Sequence, residues 1–97
     1  MVRRHIRPDL LNFKMFSTYI LKSQKNNSYY IGCCKNTAIR LKQHNKGLVK
    51  STKRYKPWII LYYENFDDLK DARKREKQIK SWKKRSAIEK LIKHFKI

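Results

Sequence analysis

Apolar and polar positions change rhythm several times along the 97 residues, and each change marks an element. Phe16 to Lys22 is rich in aromatic and β-branched residues and reads as a strand. Lys25-Asn26-Asn27 is a turn signal, because Asn takes the left-handed conformation readily. Ser28 to Cys33 is a second strand, so the two strands form an antiparallel hairpin. Asn36 or Thr37 caps a helix that runs to about Lys46 and stops at Gly47. Leu48 to Lys56 is a basic loop, and after Pro57 comes a third strand, Trp58 to Glu64. Its unbroken run Trp-Ile-Ile-Leu-Tyr-Tyr predicts burial on both faces and a central place in the sheet. Asp67 or Asp68 caps a second helix. Ser86-Ala-Ile-Glu89 has the form of a capping box, opening a last helix with the stripe Ile88, Leu91, Ile92, Phe95. The order is β-β-α-β-α-α, an α/β (α+β) fold in which helices flank a small three-stranded antiparallel sheet.

The second helix carries an anomaly. Leu69, Ala72 and Ile79 share one stripe, and the step between them is filled by Glu76. A carboxylate turned inward costs free energy unless it is paired or holds a metal. A salt bridge to an inward Arg and a metal ligand both satisfy that requirement.

Composition narrows the function. Lys and Arg number 26 against 7 acids, a formal charge of +19, with the cations spread along nearly the whole chain. A folded domain this basic is built to meet a polyanion, and nucleic acid fits best. No apolar run approaches the ~20 residues of a membrane span. Cys33 and Cys34 are adjacent and do not complete a zinc site, which suits a reduced, cytoplasmic protein (nucleoid-associated in a bacterium). No signal peptide is visible. The chain divides into an N-terminal extension, 1–14, and a single domain, 15–97. The extension is an upstream segment ahead of a natural start at Met15, a short basic arm that touches phosphates, or, less readily, a transit peptide.

Thr18-Tyr19-Ile20 and Tyr30-Ile31-Gly32 on the paired strands look like the two halves of the GIY-YIG nuclease motif, with Thr in place of the leading Gly. Arg40-Leu-Lys-Gln-His44-Asn45, Pro57-Trp58 and Arg75-Glu76-Lys-Gln-Ile-Lys80-x-Trp82 follow in the family's order. The resemblance covers Met15 to Ile92. It is closest to the small stand-alone branch, whose domain is similar to the nuclease domain of the bacterial nucleotide-excision-repair incision subunit. It implies an endonuclease that hydrolyses DNA phosphodiesters, with Tyr19, Tyr30, Arg40, His44 and Glu76 as catalytic residues. It also implies that Glu76 binds a single Mg²⁺ or Mn²⁺.

The residues can be reasoned beside the resemblance. Arg40 and His44, at i and i+4, share a helix face, and Arg40 can grip two phosphate oxygens. Tyr30 orients or deprotonates the attacking water, which requires a nearby cation to favour its phenolate; cross-strand aromatic packing is the alternative. Gly32 lets backbone or substrate approach beside Tyr30. His44 serves water activation, phosphate contact or structure. Asn45 offers hydrogen bonds at the helix end. Lys50, Lys53 and Arg54 in the loop, and Lys83, Lys84 and Arg85 after the second helix, read as phosphate contacts that position without specifying sequence. Many family members carry an Asn after the glutamate, whereas none follows Asn65 here. The expectation is therefore structure-selective or weakly sequence-specific DNA cleavage, with branched or single-stranded DNA among the substrates, RNA admitted, and a protein partner as one source of specificity. A catalytically weak, basic nucleic-acid-binding module is the alternative.

Overall fold

The computed structural model describes residues 15–94. The extension expected at 1–14 and Phe95 of the last stripe lie outside the described residues. The elements are β1 (Phe16–Ser23), β2 (Tyr29–Cys34), α1 (Thr37–Asn45), β3 (Trp58–Phe66), α2 (Leu69–Trp82) and α3 (Arg85–Lys93). This is the expected β-β-α-β-α-α order around a three-stranded antiparallel sheet. Asn36 caps α1 by accepting from the Ile39 amide, and Asp68 caps α2 by accepting from the Lys70 amide. Gly47 ends α1 at φ 78°, a conformation that favours glycine.

The strand order is β2-β1-β3, which corrects the central position expected for β3. β1 is the middle strand although it carries Ser17, Thr18 and Ser23. Each hydroxyl is satisfied: Ser17 donates to Asn65 Oδ1, Thr18 to the Ala72 carbonyl and Ser23 to the Tyr55 carbonyl. β3 is an edge strand, with Ile59 and Tyr63 37% and 41% exposed. Its unbroken apolar run has another cause. Ile20 pairs with Tyr62 but Leu21 pairs with Ile60, so Leu61 is an extra residue on β3. A bulge of this kind reverses the inward-outward alternation, and the strand loses its period-2 signature.

Two cores follow, one on each face. Ile20, Ile31 and Tyr62 pack with Ile79 of α2 and Ile88 of α3. Tyr19, Leu21 and Trp58 pack with Tyr30, Leu41, Tyr55 and Ile60 on the face covered by α1 and the loop after it. The capping box at Ser86 does not form. Helix α3 starts one residue earlier, behind Lys84, which makes no side-chain cap, and Glu89 pairs with Arg85 at 3.1 Å instead of reaching back. In that position the (i, i+4) ion pair wins over the box.

Candidate active site

On the α1 face, Gly32, Tyr19 and Tyr63 form one row across the sheet. Leu21 and Tyr30 pair in the next row. The Tyr19 phenol lies over Gly32 so closely that a Cβ there would meet its oxygen at 2.6 Å. The Tyr19 and Tyr30 rings are 6.4 Å apart, and Tyr30 stands edge-on to His44 at 5.2 Å. Arg40 and His44 approach these tyrosines from one face of α1, as their spacing predicts. Burial pushes the Tyr19 phenol well above its usual range, against the pull of the Arg40 guanidinium beside it. Arg40 donates to Gln43 at 2.9 Å, while its buried Nε makes no hydrogen bond among the described residues.

His44 is 0% exposed and does not face solvent. Its Nε2 is 2.9 Å from the Tyr19 oxygen and its Nδ1 is 2.7 Å from the Thr52 hydroxyl. Burial, with a smaller contribution from Arg40, lowers its pKa from 6.5 to about 4, so the ring is neutral. This geometry takes His44 out of reach of direct phosphate contact and makes it a support for Tyr19.

Glu76 belongs to the opposite face. There Cys33, Thr18 and Glu64 form a row across the sheet, and α2 lies over it. Thr18 donates to the Ala72 carbonyl at 2.6 Å, one helical turn before Glu76. The residue that departs from the motif's leading Gly therefore ties β1 to the helix carrying the carboxylate. The Cys33 thiol lies against Glu76 and Arg73, and burial followed by the carboxylate raises its pKa. Glu76 is mostly buried, as its place on the stripe predicts, and pairs with Lys80 at 2.6 Å rather than with an inward Arg. The inward Arg is Arg75, which holds Glu64 through Nε and Nη2 at 3.1 and 2.9 Å. Tyr62 donates to the same carboxylate. Adjacent residues on a strand face opposite ways, so Glu76 meets β2 at Cys33 while Tyr19 and Arg40 meet it at Gly32 and Cys34.

Five of the expected residues thus converge: Tyr19, Tyr30, Gly32, Arg40 and His44. Glu76 reaches the same edge strand from the other side. Asn45 has a structural task in place of the expected contact with nucleic acid: its amide donates to the Trp58 carbonyl at 3.0 Å and accepts from the Trp58 amide at 2.6 Å, extending the pairing of β3. Lys50, Lys53 and Arg54 are exposed on the loop, and Lys83, Lys84 and Arg85 are exposed between α2 and α3. Arg85 stacks over the Tyr29 ring at 4.4 Å and pairs with Glu89, so its charge is partly committed within the fold. Sequence reasoning missed Thr52, buried beneath the basic loop, and Tyr63, directly across from Tyr19. Strand register marks Tyr63. Nothing in the local pattern marks Thr52.

The chain matches the GIY-YIG catalytic domain family over residues 15–91. It belongs to the GIY-YIG family. This family's domain is of the nuclease type, which implies a nucleic acid substrate. Within it, the chain is similar to UPF0213 proteins. That of Staphylococcus haemolyticus is 35% identical over 71 residues, 72% of this chain and 85% of the relative. That of Pediococcus pentosaceus is 36% identical over 80 residues, 81% and 83% of the two chains. The solution NMR structure of a UPF0213 protein from Bacillus halodurans superposes with a TM-score of 0.52 at 25% identity, covering 81% of this chain and 83% of that one. Among the described residues of this GIY-YIG chain, no helix is long and apolar enough to cross a membrane.

Proposed function

We propose that this GIY-YIG domain is a metal-dependent endonuclease that hydrolyses DNA phosphodiesters with loose sequence specificity. The observation that carries the reading is the convergence of Tyr19, Tyr30, Arg40 and His44 beside Gly32. Four polar side chains are gathered on an otherwise apolar face, and one of them is a guanidinium with an unused donor. Phosphodiester hydrolysis needs a positioned water and positive charge on the developing phosphorane. Tyr30 is the less buried of the two tyrosines, and it orients the water. Arg40 holds phosphate oxygens, and Tyr19, anchored by His44, completes the acceptor surface.

Among the described residues, no three His, Cys, Asp or Glu side chains cluster as a metal cage. A single hard carboxylate suits Mg²⁺, which keeps most of its waters and takes other ligands from phosphate. Glu76 fits that description, with Lys80 as the cation that a metal would displace. A bound Mg²⁺ or Mn²⁺ would supply charge stabilisation at the phosphate and the leaving oxygen. The exposed cations of the loop and of the α2–α3 junction contact the backbone without reading bases.

The Glu76–Lys80 contact also favours a second reading, in which that cation has taken the metal's place and the chain only binds nucleic acid. Strand breakage in supercoiled plasmid with Mg²⁺, against the same reaction in EDTA, separates the two. Nicking that requires metal supports the endonuclease. Tight, salt-sensitive binding without breakage supports the binding module.

A further inference from the structure

We propose that Thr52 is a positioning residue for the Tyr19–His44 pair, holding the imidazole as the Nδ1–H tautomer so that Nε2 accepts the Tyr19 hydroxyl proton. The inference rests on reading this cluster as the active site, and extends it to a residue in the basic loop.

The tautomer follows from counting hydrogens at both ends of the chain of contacts. Thr52 Oγ1 has one hydrogen and two neighbours, His44 Nδ1 at 2.7 Å and the Val49 carbonyl at 3.3 Å. The carbonyl can only accept. If the hydroxyl donates there, its lone pair accepts from His44, which places the imidazole proton on Nδ1. At the other end, Tyr19 is buried, and a buried phenol needs an acceptor for its hydrogen. Arg40 beside it is a donor only. Among the described residues, the side-chain acceptor bonded to the Tyr19 oxygen is His44 Nε2, at 2.9 Å. The Tyr19 O–H therefore donates inward to Nε2, and both ends require the same form of the ring.

The chemical consequence lies at the Tyr19 oxygen. With its own hydrogen directed to His44, its lone pairs are left to accept from Arg40 or from a water at the site. With the opposite tautomer, His44 would donate to that oxygen, and the phenolic hydrogen would turn toward the site as a competing donor. Thr52 is well built for the task. Its amide bonds the Val49 carbonyl at 3.1 Å, its carbonyl accepts the Trp58 indole N–H at 2.9 Å, and it is fully buried. Its hydroxyl cannot swing to solvent. It also sits between Lys50 and Lys53-Arg54, in the segment that carries the loop's cations.

The test uses the full chain with ¹⁵N-labelled histidine, comparing wild type, Thr52→Val and Thr52→Ser. We expect His44 to show a protonated Nδ1 and an unprotonated Nε2 in the wild type and in Thr52→Ser, and a shift toward Nε2–H in Thr52→Val. In plasmid nicking, Thr52→Val should lower kcat about tenfold, the rate equivalent of one ordinary hydrogen bond, with KM unchanged and the Ser variant restored. A wild type with Nε2–H, or a Val variant with unaltered tautomer and kcat, overturns the proposal. Because the spectra do not depend on cleavage, a chain that cuts nothing counts against the endonuclease reading, while the tautomer assignment stands or falls on the spectra.

Discussion

A Cβ placed on Gly32 would lie 2.6 Å from the oxygen and 2.8 Å from Cζ of Tyr19. Tyr19 cannot move aside, because it is buried and its oxygen is bonded to His44. The glycine of the second motif half thus makes room for the tyrosine of the first. Gly32→Ala should destabilise the fold by about 1–3 kcal/mol, the usual effect of overpacking a filled site. It should also disturb the Tyr19–His44 contact. Urea unfolding checks the first point, and an unchanged midpoint would contradict the close packing described.

His44 should make the protein acid-sensitive in a defined window. Its pKa is lowered from 6.5 to about 4 in the fold, so between those values the unfolded chain binds more protons. Stability therefore rises with pH across this interval. The contribution is fully present above the unfolded value and is lost as pH falls through the folded one. Urea midpoints measured between about pH 7 and pH 4.5 should fall less steeply for His44→Gln than for the wild type. Parallel slopes would mean that His44 is not held neutral by burial.

The strands, the helices and the convergence on α1 were legible because their causes are local. Aromatic and β-branched runs, Asn and Asp caps and the (i, i+4) spacing of Arg40 and His44 all act within a few residues. The position of β3 was not legible, because the bulge at Leu61 removes the alternation that would have marked an edge strand. The interior task of His44 was hidden because its partners, Tyr19 and Thr52, come from other segments. The inward Arg weighed as a partner for Glu76 proved to be Arg75, one residue earlier, paired with Glu64 across the sheet. The inward placement of Glu76 was readable from the stripe, whereas its approach to Cys33 depends on how α2 crosses β2.

That Glu64–Arg75 pair should act on stability. It is mostly shielded from solvent and reinforced by Tyr62, whose pKa is raised to about 12, chiefly by burial and then by the carboxylate. Glu64→Gln removes the charge but keeps the shape, and should cost about 1–2 kcal/mol by leaving Arg75 with a weaker partner. Thermal unfolding reads the change. An unchanged midpoint would show that solvent screens the pair as it does an exposed one.

The basic loop should carry phosphate contacts. Lys53→Ala combined with Arg54→Ala should weaken binding to DNA of any sequence, and should flatten the dependence of log K on log salt by roughly one unit per phosphate contact removed. A salt titration by fluorescence anisotropy measures both. An unaltered slope would remove the loop from the interface.

The most direct measurement compares cleavage and binding together. Supercoiled plasmid, single strands, flaps and branched junctions are incubated with Mg²⁺ or Mn²⁺ and wild type, Arg40→Ala or Glu76→Ala, with affinities measured at matched salt. Metal-dependent cleavage by the wild type is expected, with a loss of at least about a hundredfold in each variant, as for removal of a group that stabilises transition-state charge. Glu76→Ala should bind nearly as tightly as the wild type. Cleavage that survives both substitutions, or a wild type that binds every substrate and cuts none, would contradict the account.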